Sequence, residues 1–276
     1  MNPKFIQKIA SVALGTAMLV TLSVLIFIIF YILYQGLPIV SMEFLTTPIR
    51  DMGKSGGIFP TIISTFYLAF LSICIAAPLG IGTAVFLTEY TRENTVTRVI
   101  RFTTDCLAGI PSIIFGLFGF VFFVIYLGFG WSILAGSLTL ATMMLPTIIR
   151  TSEEAIRAVP EGFREVTYGL GGSKWQSVTE IVLPKAFPGI LTGIILSMGR
   201  AVSETAALIF TAGMSLHTPV SVLSSGRSMA VHFYTIAREG ISLQMAFGTA
   251  AVLIVTISII NISSYLLMHK YMRKYA

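Results

Sequence analysis

Apolar residues run almost unbroken through six stretches, near positions 9–35, 60–88, 105–127, 132–150, 186–211 and 246–268, and charge, proline and glycine return between them. A helix rises about 1.5 Å per residue, so roughly twenty apolar residues cross the hydrocarbon core of a bilayer. The pattern predicts six spanning helices. The third and fourth are separated by Gly128-Phe129-Gly130-Trp131, which reads as a tight turn with an aromatic at the interface. Pro78, Pro111 and Pro146 fall in or beside spans, where neighbouring helices can satisfy the carbonyls a proline frees. The first run follows Lys4 and Lys8 but is much longer than a secretory h-region, and no small-x-small site closes it, so it predicts a retained spanning helix.

The segments between the runs have patterns of their own. Stretches 36–57 and 212–245 are too polar to span, and the second has room for short interfacial helices. The connector 151–185 is better organised. Thr151 and Glu154 fit a capping box, and Pro160 suits the first turn of a second helix. Phe163, Val166 and Leu170 recur at helical spacing as an apolar stripe. Gly171 and Gly172 let the chain leave that helix through a left-handed conformation. Ser173 and Gln176 form a second capping box, opening a helix with Trp175, Val178 and Ile181 that Leu183-Pro184 should end. The stripe fits packing against the protein's own helices and a handle for a soluble partner equally well.

Composition agrees with the pattern. The chain is 55% hydrophobic and 11% charged, whereas a soluble domain carries about 25% charged residues. It is read as an all-α integral membrane protein. The placement of its basic residues predicts its orientation. With the N-terminus inside, the inner segments hold thirteen of the eighteen Lys and Arg, and the outer segments hold Arg50, Lys54, Arg227 and Arg238. Both termini are then expected in the cytoplasm. Cys74 and Cys106 lack metal-type spacing and are expected as small buried hydrophobes.

The last basic residue is Arg200, inside the fifth run and four positions from Glu204. That spacing predicts one helix face, on which each charge offsets the other. Ionisable residues within a membrane are expensive and mark substrate paths more often than packing. Ser203 and Thr205 add hydroxyls beside them. Other candidates are weaker. Asp105 is placed to pair with Arg101 at the inner boundary, and His217, His232 and His269 read as surface histidines. Gly53-Lys54-Ser55 ends like a phosphate-binding loop, but Pro48 stands where that loop needs glycine, so an outer turn is expected. No catalytic residue, metal cluster or cofactor motif is read. An intramembrane hydrolase would need a nucleophile and base, and a scaffold would not need the charged pair.

The stretch Glu165-Val166-Thr167, then Gly171, then Ile181-Val182-Leu183-Pro184 matches the permease signature of ABC importers, E-A-A-x3-G-x9-I-x-L-P, except at its two alanines. Four further segments, GGIFPTIIST at 56–65, GIPSIIFGLFG at 109–119, LPTIIRTSEEAIRAVP at 145–160 and GRAVSETAAL at 199–208, resemble the A-type permeases of bacterial phosphate (Pst-type) ABC importers, with the C-type sister as runner-up. The resemblance implies a six-helix type I importer permease with its core over 58–268 and its coupling loop over 151–185. Segments 1–57 and 269–276 flank that core. It implies that Glu165, Gly171, Gly172, Lys174, Ile181, Leu183 and Pro184 couple to an ATPase. It also implies that Arg200 and Glu204 lie on the substrate path, to which Ser203 and Thr205 are added as neighbouring hydroxyls. The partners implied are a second permease, a cytoplasmic ATP-binding cassette dimer, an extracytoplasmic phosphate-binding protein and the lipid membrane, with no nucleic acid. Sulfate, molybdate or phosphonate stays open as the anion.

Overall fold

The structure is a computed structural model and describes residues 3–275. Met1, Asn2 and Ala276, the ends of the two expected cytoplasmic tails, lie outside the described residues, as do the side chains of Lys8, Arg273 and Lys274. The first helix, α1, runs Pro3–Gly36. A short layer follows, on the side that the sequence reading expects to be the outer one: α2 (Met42–Thr46), capped by the Ser41 hydroxyl, and a two-residue hairpin of β1 (Ile49–Arg50) and β2 (Ser55–Gly56). The strands pair antiparallel, Ile49 opposite Gly56 and Arg50 opposite Ser55. Gly53 and Lys54 therefore lie in the turn, as expected, and Ser55 opens β2.

Next come α3 (Phe59–Val85), α4 (Thr95–Ala108), α5 (Ser112–Gly119) and α6 (Ile133–Arg157). Pro60 occupies the first turn of α3, where a missing N–H costs nothing. The connector forms α7 (Gly162–Gly169) and α8 (Lys174–Gln176). Then α9 (Leu183–Ser203) and α10 (Ala206–Thr211) lead to the outer α11 (Met229–Arg238), and α12 (Leu243–Tyr275) closes the chain.

Among the described residues five helical runs are long and apolar enough to cross a membrane. The third expected span, 105–127, is instead split at Gly109-Ile110-Pro111, where α4 and the run Ser112–Tyr126 meet at 102°. Counting that pair as one span gives six. The proline disfavours helix at the residue before it, which places the bend.

The core lies where α6 packs between α3 and α9. Leu68, Ala76, Leu140, Met144, Ile148 and Leu208 are almost fully buried there. Membrane helices gain little from hydrophobicity against one another and depend on close packing, which small residues permit. At Gly80 on α3, a Cβ would stand 2.7 Å from the Ile148 side chain of α6. The outward faces of the bundle are apolar and exposed. Cys74 and Cys106 lie on such faces and are exposed, contrary to the expectation of buried thiols. A small apolar residue is as well suited to lipid as to core, so apolarity alone does not predict burial here.

Candidate functional site

The connector between α6 and α9 is built from helix ends and one ion pair. Helix α6 does not stop at 150. It runs on to Arg157, so Thr151 and Glu154 sit inside it instead of forming a cap, and the Thr151 hydroxyl donates to the Thr147 carbonyl. The chain then turns through Pro160 into α7. Arg164 on α7 donates to Glu89 from Nη2 at 2.6 Å and from Nε at 3.0 Å, and also to the carbonyls of Val159 and Ile156. The Glu89 side chain is 6% exposed and that of Arg164 15%. Guanidinium donors to a carboxylate make strong bonds, and here they lock α7 onto the inner end of α3. Sequence reading missed this pair. Its only signal was an acidic residue just past one apolar run and an arginine beside Glu165.

With α7 fixed, its apolar stripe faces outward. Phe163, Val166 and Leu170 are exposed at 40%, 62% and 84%. Glu165 and Lys174 are exposed, and Trp175 on α8 is 65% exposed. Of the two readings open from the sequence, packing against the protein's own helices is not what the fold does. Gly171 has φ +81°, the left-handed exit expected, and the Ser173–Gln176 capping box forms with both its bonds. The Lys174 ammonium lies 5.3 Å from the Tyr90 ring centre. A groove of about 540 Å³ beside α7 is lined by Glu89, Arg157, Glu165, Tyr168 and Lys174.

Leu183-Pro184 does not end the following helix. A π-helical turn, Ser177–Val182, joins α8 to α9 in one run from Lys174 to Ser203, with Ile181, Leu183 and Pro184 half-buried in it. The wider turn precedes the position at which proline supplies no N–H, so Pro184 sits in the first turn of α9.

A second ion-pair layer ties α4 to α6. Arg101 donates to Glu153 at 2.6 Å and to Glu93 at 3.1 Å. Asp105 pairs with Arg150 at 3.2 Å, so the expected Arg101–Asp105 pair is replaced by two bridges between helices. The sequence showed only the spacing along α4, not the neighbour that competes for its charges.

The Arg200–Glu204 stretch also departs from expectation. Helix α9 ends at Ser203, and Glu204 is extended (φ −70°, ψ 133°), so the two residues do not share a helix face. Among the described residues Arg200 makes no ion pair and is exposed. Glu204 is 8% exposed, and its carboxylate accepts the Ala207 N–H at 3.2 Å, capping α10. The Ser203 hydroxyl donates back to the Gly199 and Arg200 carbonyls, which bends a helix end, and Thr205 is half-buried in the break. The cue was present in Ser203-Glu204-Thr205, cap-forming residues directly before the apolar Ala206–Phe210. The result is a broken span with a buried carboxylate at the break and a guanidinium one turn earlier. In the outer layer, His232 is 1% exposed, against the expected surface position.

The model of a family described as binding-protein-dependent transport system inner membrane component matches residues 76–275. The chain is 34% identical over 280 residues to "Probable ABC transporter permease protein YqgI" of Bacillus subtilis (strain 168), covering 96% of this chain and 95% of that protein. It is 38% identical over 213 residues to "Phosphate transport system permease protein PstA 1" of Mycobacterium tuberculosis (strain CDC 1551 / Oshkosh), covering 76% and 70%. Among solved structures, a bacterial ABC transporter involved in the import of the acidic polysaccharide alginate aligns over 97% of this chain and 99% of its own, with a TM-score of 0.65. At 14% identity that likeness is one of fold.

Proposed function

The chain belongs to the family of binding-protein-dependent transport system inner membrane components, and from that premise we propose that it is the permease subunit of an ABC importer for inorganic phosphate. ATP hydrolysis is assigned to a separate cytoplasmic subunit, and delivery of the anion to an extracytoplasmic binding protein. The anion is phosphate on the strength of relatives named as phosphate transport permeases.

One observation carries the reading. A helix bearing the importer signature is clamped by Arg164 and Glu89 while Val166 and Leu170 of its apolar stripe are left uncovered and Phe163 carries only the Lys185 ammonium, 4.1 Å from its ring centre. A stripe of Phe163, Val166 and Leu170 held rigidly in water is costly unless a partner buries it, and a helix laid in a groove is a standard way to transmit motion between subunits. Glu165 and Lys174 at its rim set the register of docking. In this orientation both termini are cytoplasmic, in line with the excess of basic residues on that side.

The path is proposed at the break between α9 and α10. A guanidinium facing hydrocarbon costs about 2.5–3.5 kcal/mol on insertion scales. Arg200 therefore faces a polar path completed by a second permease, where its planar donor fork suits a phosphate oxyanion. Glu204 stands at the break itself, and the Ser203 and Thr205 hydroxyls, which donate to backbone carbonyls, shape that break.

The test is uptake of radiolabelled phosphate in cells lacking this chain, with and without its return, together with co-purification of an ATP-binding subunit. Restored uptake and a co-purifying ATPase are expected. Uptake unaffected by the chain, with no ATPase bound, overturns the reading.

A further inference from the structure

The outer layer buries a cation that the chain itself does not neutralise. Arg227 is 8% exposed and precedes Ser228, the N-cap of α11. Its Nε donates to the Met214 carbonyl at 3.2 Å, and its Nη1 lies 3.4 Å from His232 Nδ1. Among the described residues no carboxylate lies within ion-pair distance of it. Glu239, the acid whose field reaches it, is exposed at the end of α11. Burial accordingly pulls the guanidinium below its ordinary pKa.

The surroundings hold this group rigidly. The Met229 N–H donates to the Thr65 hydroxyl at 2.9 Å, which ties α11 to α3. The hairpin β1–β2 roofs the histidine. Gly53, at φ +102°, comes so close that a Cβ there would stand 3.2 Å from His232 Cε1 and 3.0 Å from the Ile236 side chain. With Nδ1 accepting from Arg227, the proton of the neutral imidazole is assigned to Nε2. Of the five N–H donors of Arg227 two are engaged and three, including both on Nη2, are unused. The fully enclosed side-chain polar atoms that lack a partner, among the described residues, are the hydroxyls of Ser152, Ser177 and Ser197. Nη2 of Arg227 is not among them, and it makes no hydrogen bond, so it is not fully enclosed.

A buried charge without a counter-charge is expensive, and sites of this kind are completed by a ligand of opposite sign. A guanidinium with a free donor suits an oxyanion. We infer that Arg227 forms a second anion site, at the outer mouth of the permease, which receives inorganic phosphate before it reaches Arg200. This rests on the phosphate-permease reading above. A single cation beside a neutral histidine holds the anion loosely, which suits a transit point.

The test uses the full chain with its partners, in two measurements. In the first, Arg227→Gln should lower labelled phosphate uptake at least tenfold at low phosphate, mainly by raising KM, with membrane level and partner co-purification unchanged. Arg227→Lys should recover part of it. In the second, inorganic phosphate is added to the detergent-purified Arg200→Leu complex, in which the inner site is disabled. Phosphate should raise its Tm, and adding Arg227→Gln should abolish the rise. Equal KM in the parent and Arg227→Gln, or a phosphate-dependent Tm that survives Arg227→Gln, overturns the site. Loss of partner co-purification in Arg227→Gln, with no phosphate effect on the Tm of the Arg200→Leu complex, makes Arg227 a partner's counter-charge and also overturns it. If the parent takes up no phosphate at all, the functional reading fails instead, and the Tm measurement still decides the anion site.

Discussion

Arg200 and His232 show how burial and partners set what a single side chain does. Arg200 is exposed and unpaired at the last turn of α9, so its removal leaves no neighbouring group stranded. Arg200→Leu is expected to insert and assemble normally while phosphate uptake falls by at least tenfold, and Arg200→Lys to keep partial uptake because the charge stays and the fork does not. Glu204→Gln keeps an oxygen to accept the Ala207 N–H, so α10 stays capped, whereas Glu204→Leu removes that cap at a cost of about 1 kcal/mol. If Arg200→Leu transports at the parental rate with matched expression, the arginine only packs. His232 differs in being enclosed. Its pKa is pushed down to about 4, by burial first and the Arg227 charge second. The opened state takes up its proton near pH 6.5 and the closed state only near pH 4. The stability of the outer layer is therefore complete above pH 6.5 and declines as the pH falls toward 4, at up to 1.4 kcal/mol per unit. Amide exchange of α11, corrected for intrinsic rates, should show opening become easier over that window, and His232→Gln should flatten the dependence. A parent profile as flat as the variant's contradicts the buried neutral imidazole.

At the scale of elements, the connector makes the sharpest forecast. Gly171 holds φ +81° with open space around it, so Gly171→Val is strained by backbone alone, at about 1–2 kcal/mol. The strain falls on the exit from α7, and the expected result is an inserted chain that neither stimulates its ATPase nor takes up phosphate. Arg164→Gln leaves Glu89 buried without its partner, a loss on the order of 3 kcal/mol, and should free α7 to proteolysis while the spans stay intact. Resistance equal to the parent's counts against the clamp. Much of this element was readable beforehand. The stripe, the glycine exit and the Ser173–Gln176 box are local, and local chemistry is what sequence displays. The clamp was not readable, because Glu89 and Arg164 are 75 positions apart and meet only through the fold. The same reason explains Asp105, whose partner proved to be Arg150 on another helix. The break at Glu204 was a different failure. Apolar residues on both sides matched a continuous span, and that periodicity outweighed the capping chemistry of Ser203-Glu204-Thr205. Pro184 misled in the opposite direction, since a π-helical turn absorbed it.

On the scale of the whole molecule, hydropathy predicts which segments enter the membrane but not which faces meet lipid, because lipid and helix interfaces are both apolar. The core between α3, α6 and α9 settles the inward faces and leaves one side of α9 outward, carrying Leu196 at 60% exposure and Arg200 one turn on. Leucine tolerates hydrocarbon and arginine does not, which supports the proposal that this side meets a second permease. That assignment is testable with a single introduced thiol. Cys74 and Cys106 are exposed and would react first, so the background is Cys74→Ala with Cys106→Ala. In that background Leu196→Cys, labelled with a maleimide that carries a photoreactive benzophenone, should join to the second permease on illumination, giving one band of summed mass. Water-soluble maleimide should reach the same thiol at a rate that falls when phosphate saturates the path. Reaction confined to lipid-phase reagents, with no cross-link to the other permease, would put this side of α9 in the bilayer and remove the ground for a shared path.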